Sequence, residues 1–130
     1  MSVQALAQAA MVAALRGHDG LAVTGVFDAP PVRRALPYAV VEEAVLGDWS
    51  TKDMAGREGR LAVAIHDGGE RPVRLRALVG EAEAAIAGMA PELGEGWRIV
   101  TLTLVRSRIV REGERWAAMS EWRVRMLKES

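Results

Sequence analysis

The sequence has no cysteine. Disulfides, thiolate metal sites and cysteine nucleophiles are therefore excluded together, and the composition fits a reducing compartment. Histidine is almost as scarce: His18 and His66 are the only two. They lie far apart, with no partner at helical spacing or in a CxxC pair, so no zinc signature exists. No stretch approaches the ~20 apolar residues of a membrane span, and the N-terminus has no basic segment followed by a long apolar run, so no secretory signal is expected. Excess charge is absent too. Lys plus Arg and Asp plus Glu are both 17. A free polyanion binder is usually basic overall, so nucleic acid is not favoured as the main partner. A chain with no net charge also has little self-repulsion to keep copies apart. Lysine is confined to Lys52 and Lys128, leaving arginine to carry the positive charge.

What is present describes an ordinary globular chain. With 130 residues, 50% of them hydrophobic, residues 1–130 are expected to form one domain. Ser2 to Arg16 reads as a helix, with Ser2 as N-cap and Gly17 as its stop. Val3, Leu6, Ala10, Ala13 and Ala14 share one broad face. Met11 and Leu15 lie beside Gln4 and Gln8 on the other side, so the polar stripe is thin. A helix apolar nearly all round is usually buried on more than one side, which makes Met11 and Leu15 candidates for a second contact, against the plainer reading of two exposed apolar residues. Leu21 to Phe27 contains a short extended segment. Pro30 and Pro31 forbid helix after it. Tyr38 to Leu46 is a strand candidate, and Arg60 to His66 alternates as a strand does. A second helix starts near Pro72, with Leu75, Leu78, Val79, Ala82, Ile86 and Met89 on one face. Trp97 to Arg111 is a long β run. "REGE" makes a turn, and Trp116 to Leu127 returns with Trp116, Ala118, Trp122, Val124 and Met126 on one side and Glu121, Arg123 and Arg125 on the other. The expected architecture is α+β in the order α-β-β-β-α-β-β, a largely antiparallel sheet with two helices on one face and a polar opposite face.

The candidates for chemistry are thin. His66–Asp67 has the composition of a base and its orienting acid, but neighbours on a strand point to opposite faces. Glu42–Glu43 fails as an acid/base pair for the same reason, and a solvated edge or a cross-strand ion pair explains it better. "HDGGERP" precedes a helix yet lacks the lysine and the glycine spacing of a nucleotide loop. No enzyme and no cofactor are expected. Arg98, Arg106, Arg108, Arg111 and Arg115, with Trp97 and Trp116, would suit a nucleic-acid surface. However, Glu112, Glu114 and Glu121 share the region, so cross-strand pairing or a protein interface competes with that reading.

One set of segments carries more than pattern. "GVFDAP" (Gly25–Pro30), "LPYAVVEE" (Leu36–Glu43), "DWSTK" (Asp48–Lys52) and "GREGRLAVAIHD" (Gly56–Asp67) occur in that order, and "DWSTK" followed by "GRE" is the most specific part. Across nearly its whole length the chain resembles a family of small phage tail completion proteins that look like tail terminators and also occur in gene transfer agents, the phage-like particles of some bacteria. Where relatives often carry an aromatic at the end of the third strand, this chain has His66–Asp67.

The resemblance implies a structural protein with no catalytic residues. It would act as a ring, hexameric in such terminators, that caps the tail tube and meets the head-side connector. Its implied partners are copies of itself, the tail tube protein and the connector protein, with nucleic acid at most passing through the lumen. It implies assembly in the bacterial cytoplasm and residence at the head–tail junction. A head–tail connector or another tail ring component is the nearest alternative, and a small nucleic-acid-binding domain is the alternative of a different class.

The stretch from Gly47 to Gly59 is read as a long polar loop. Trp49 would anchor a contact to a neighbouring subunit or tube ring, with Asp48, Ser50, Thr51, Lys52, Asp53 and Arg57 around it, against the plainer reading of a mobile solvent loop with Trp49 folded onto its own domain. Gly47, Gly56 and Gly59 suggest a backbone that is loose in the free subunit and ordered by contact. Arg106 and Arg108 on the polar sheet face are further interface candidates. With both histidines outside any constellation, replacing His18 and His66 together by Gln is expected to leave particle assembly intact. Loss of assembly by a folded double variant, scored by electron microscopy of lysates, would refute that.

Overall fold

The computed structural model describes residues 1–129. Its longest ladder joins β4 (Gly56–Gly68) to β7 (Arg115–Lys128), antiparallel from Gly56↔Leu127 to Gly68↔Arg115. β7 is also paired along its other side with β6 (Trp97–Glu112), and the two are linked by a tight turn in which Gly113 has φ +64°. That positive φ is a conformation glycine adopts without steric cost. The seven-stranded sheet has the order β1 (Val26–Phe27), β2 (Tyr38–Val41), β4, β7, β6, β5 (Glu92–Gly94), with β3 (Val45–Asp48) also on β4. β1 runs parallel to β2, and all other pairs are antiparallel. The domain is therefore α+β, in the order α-β-β-β-β-α-β-β-β.

Two strands beyond the expected order have simple origins. The expected strand Tyr38–Leu46 is split into β2 and β3 (Val45–Asp48), both lying along the same side of β4. The path from Val41 to Val45 contains one residue more than the opposing path from Val63 to Arg60, which is a bulge. Its backbone is satisfied by the first helix. Gln8 Oε1 accepts from the Ala44 N–H at 2.9 Å, and Gln4 Nε2 donates to the Ala44 carbonyl at 2.9 Å. The other addition is β5 (Glu92–Gly94), a short piece on the first residues of β6.

Helix α1 (Val3–Arg16) starts as expected, with the Ser2 hydroxyl accepting from the Ala5 N–H at 3.1 Å, and ends at Gly17. Its buried stripe is rotated from the expected one. Leu6, Ala7, Met11 and Leu15 face inward, whereas Ala13 is exposed. Met11 and Leu15 are 0% and 1% exposed and belong to the core of their own chain. This corrects the reading of these two residues as a contact for a neighbour. The rotation follows from the glutamines: Gln4 and Gln8 engage Ala44, which turns the adjacent Met11 and Leu15 toward the sheet. Burying side chains of this size contributes on the order of 1.5–3 kcal/mol each, more than two exposed positions would gain.

Helix α2 (Val73–Ala87) buries Leu75, Leu78, Val79, Ala82 and Ile86 as its periodicity predicts. Both helices pack on the sheet face formed by Leu61, Val63 and Ile65 of β4 and Ala118, Trp122, Val124 and Met126 of β7. The buried Ser120 accepts from Trp122 Nε1 at 3.0 Å and donates to Glu83 at 2.9 Å, tying β7 to α2.

Asp67, 2% exposed, joins β4 to the first turn of α2. Arg74 Nε donates to its Oδ2 at 2.9 Å, and the Gly68 N–H donates to its Oδ1 at 2.8 Å. The Arg74 hydrogen bonds are the main cause of a carboxyl pKa below the usual aspartate value, opposed by burial. A depressed native pKa stabilises the fold above the unfolded pKa of about 3.9, and the gain is lost as pH falls through the native value. Arg74→Met should therefore lower stability at pH 7 by about 1–3 kcal/mol. In urea melts the gap from wild type should close as the solution is acidified below pH 4. A gap that stays constant from pH 7 to pH 2.5 would show that the pair does not contribute.

Candidate assembly surface

The sheet face opposite the helices is built from cross-strand rows. One row runs Val40, Ala64, Met119, Arg108, and the next runs Ala62, Glu121, Arg106. Beyond them lie Val45, Arg60, Arg123, Thr103, and then Gly47, Glu58, Arg125, Thr101. Ala62 and Ala64 are buried without a helix above them because each sits between longer cross-strand neighbours. Charge dominates the remainder of the face.

Glu121 is the hub of that charge. Arg106 reaches its Oε2 at 3.2 Å from β6 and Arg60 at 3.5 Å from β4, while Arg60 also reaches Glu42 at 3.4 Å. Burial raises the Glu121 pKa, but the Arg106 hydrogen bond and the two guanidinium charges outweigh it, so the net direction is down. Arg125 pairs with Glu58 at 3.2 Å. Arg108 and Arg123 have no ion pair among the described residues, although Arg123 stands directly opposite Arg60. Like charges in that position are destabilising on their own.

The stretch from Gly47 to Gly59 is not a long loop. β3 and β4 pair from Val45↔Arg60 to Asp48↔Arg57, so Gly47, Asp48 and Gly56 to Gly59 are strand residues, and the connection is Trp49 to Ala55. That connection is closed by its own bonds. The Trp49 N–H donates to the Gly56 carbonyl and the Thr51 N–H to the Met54 carbonyl, both at 2.9 Å. The Thr51 hydroxyl accepts from the Asp53 and Met54 N–H groups. Ser50 donates to Asp48 at 2.6 Å, which is the chief cause of a lowered Asp48 pKa, with slight desolvation of this exposed side chain opposing and Arg57 assisting. Gly56 and Gly59 serve close approach rather than looseness: a Cβ on either would run into the carbonyl of Trp49 or of Val45, respectively.

Trp49 is half-buried, with the Arg125 guanidinium 5.2 Å above its ring centre. Lys52 and Asp53 at the tip are exposed. The structure thus keeps Asp48, Trp49, Ser50, Thr51 and Arg57 close together at this end of the β3–β4 hairpin, but it divides them between faces: Trp49 lies under Arg125 of the uncovered face, whereas Asp48 and Arg57 share the cross-strand row of the buried Met126 on the helix side. Arg106 and Arg108 lie on the uncovered face along β6.

Other sequence candidates fall elsewhere. Trp97 lies in the core, so the aromatic–basic surface loses one of its two rings. Trp116 is occupied by Arg111, 5.2 Å above its ring, and by the Gly69 carbonyl. His66 stacks on Tyr38 with ring centres 5.1 Å apart, while the adjacent Asp67 turns to Arg74. His18 Nε2 lies 2.6 Å from Glu81. Among the described residues no group of three His, Cys, Asp or Glu could hold a metal ion, and no helix is long and apolar enough to cross a membrane. Sequence reasoning missed the network through Glu42, Arg60 and Glu121, because strand register decides it. It also missed Val100, Leu104 and Val105, which are 47%, 42% and 55% exposed on β6.

Comparison with known proteins places this surface in context. A family model described as "Tail completion protein gp17" matches residues 4–127. Among solved structures, a chain described under "Virion of native gene transfer agent (GTA) particle" is similar at 24% sequence identity, with a TM-score of 0.73 over 92% of this chain and 93% of that one. At that identity the likeness shows a shared fold. No curated protein matches the sequence.

If the uncovered face makes subunit or ring contacts, reversing its charge should harm assembly more than folding. Arg106→Glu with Arg108→Glu should leave the subunit folded, with a smaller loss of stability than of assembly, because both arginine side chains reach solvent. Incorporation into tails should fall at least about tenfold, since like charges facing each other in a contact cost several kcal/mol. Normal incorporation of the folded variant, measured by quantitative blotting of purified particles, would show that the face is merely solvated.

Proposed function

The chain belongs to the tail completion protein gp17 family, and we propose that this structural tail component is the terminator of a phage-like tail. In this reading copies of the chain form a ring, hexameric as in terminators it resembles. The ring seats on the last ring of the tube, stops further polymerisation and presents its other side to the head-side connector protein. It assembles in the bacterial cytoplasm and stays at the head–tail junction of a phage or gene transfer agent particle. The observation that carries the proposal is the family match over residues 4–127, nearly the whole chain. Two features support it. The solved chain of the same fold comes from a gene transfer agent virion. In addition, a broad charged sheet face without a helix over it suits contact between rigid bodies, since Arg is enriched and Lys depleted at protein interfaces. The hairpin tip with Trp49 is assigned to the same contacts, the indole as anchor and Asp48, Ser50, Thr51, Lys52, Asp53 and Arg57 around it.

Deleting the gene from a producing strain tests this reading. Without a terminator, tubes should grow past their normal length and fail to join heads, and the wild-type gene supplied in trans should restore both. Trp49→Ala should fold yet restore neither fully. Tubes of normal length that remain unjoined would point instead to a connector role. Normal joined particles in the deletion strain would overturn the proposal.

A further inference from the structure

The sheet has two open edges, and their properties are complementary. On one side β5 covers only the first residues of β6, at Arg98 and Trp97, so the outer edge of β6 beyond Ile99 has no strand beside it among the described residues. On the other side β3 pairs with β4 alone, and β1 pairs with β2, leaving the outer edge of β3 open. Long exposed edges usually carry a guard: proline, charged side chains, β-bulges or short length. β6 is 16 residues long and contains neither proline nor lysine. It has two register shifts, at Ile99/Thr101 and at Leu104/Arg106, and the skipped residues Val100 and Val105 are exposed. Val45 on β3 is 60% exposed. The charges also match in sign. Residues 97–112 carry four arginines and one glutamate, while residues 38–53 carry four acidic residues and one lysine.

We infer that, within the ring proposed above, neighbours join edge to edge: the free edge of β6 around Val105–Arg108 pairs with β3 of the next copy. The contact uses different surfaces on the two copies, which is the kind of interface that generates closed rings. Its polarity follows from the sheet. β3 is antiparallel to β4, β4 to β7 and β7 to β6, so β3 and β6 run in opposite directions in one subunit. Rotation about a ring axis lying along the strands preserves direction, so the new pair is antiparallel. This arrangement supplies partners to the unpaired N–H and C=O groups of both edges, covers Val45 and Val105, and brings Arg106 and Arg108 toward Glu42 and Glu43.

The inference rests on the ring reading, and the absence of native cysteine makes the two separable. Val45→Cys is combined in turn with Leu104→Cys, Val105→Cys and Ser107→Cys. Within one chain these positions are three strand spacings apart, about 14 Å, and a disulfide needs Cα atoms closer than about 7 Å. A bond within one chain would in any case leave the subunit at monomer mass, so only a bond between copies gives a ladder. Oxidised particles should give a ladder of linked subunits on non-reducing gels for at least one pair. Ala9→Cys with Val32→Cys, both exposed and off the edges, should give none. Rings visible by electron microscopy without a ladder from any edge pair would overturn the edge contact and leave the ring standing. Particles holding the chain as single copies would overturn both.

Discussion

The antiparallel ladder between β4 and β7 is the constraint on which the other elements depend. Thirteen consecutive partners, Gly56↔Leu127 to Gly68↔Arg115, set one register for the whole sheet. Because side chains alternate, a slip of one residue would move Trp122, Val124 and Met126 to the charged face and bring Glu121, Arg123 and Arg125 into the core. No such slip is affordable when Val124 and Met126 are fully buried and three charges would be stranded without water. β4 then uses its second side for both β2 and β3, and β7 uses its second side for β6. The two helices can pack only where the ladder presents its apolar row.

The same ladder explains why the charged face is ordered. Glu121 is flanked by Arg60 and Arg106 because β7 lies between β4 and β6, so one carboxylate answers two guanidiniums on separate strands. The two guanidiniums reach solvent while the carboxylate between them is largely covered. These pairs hold long side chains in a defined pattern, and a defined pattern is what a partner surface can match. Arg108 and Arg123 have no carboxylate partner among the described residues. A structural tail component needs such a pattern more than it needs a pocket, and Asp67, the one buried carboxylate among the described residues, clasps β4 to α2.

Much of the fold was legible in the sequence for a physical reason: periodicity over long segments survives any tertiary context. α2 buries the face its spacing marks out, and β7 alternates as written. Ser2 and Gly17 bound α1 because capping is local chemistry. The tail completion family, too, was readable from ordered segments such as "DWSTK" and "GREGRLAVAIHD". Where the reading went astray, the deciding contacts were distant in sequence. Met11 and Leu15 looked spare beside Gln4 and Gln8, but Ala44, some 36 to 40 residues away, engages both glutamines and turns the helix. The Gly47–Gly59 stretch looked loose because its glycines were judged singly. Paired strands show that Gly56 and Gly59 are small so that the carbonyls of Trp49 and Val45 can lie against them.

By itself the sequence determined the two helices and the long strands, the absence of thiol chemistry, the isolation of the two histidines and the alternation that makes one face of the sheet apolar. These follow from composition and from neighbours a few residues apart. Only the tertiary structure decided which strands are edges, which arginines find a carboxylate and which valines remain uncovered. Those properties depend on strand order and register: β7 comes last in the chain yet lies inside the sheet, while β6 lies toward its rim. No local pattern encodes that order, because a central strand and an edge strand can share the same alternation and differ only in what lies beside them.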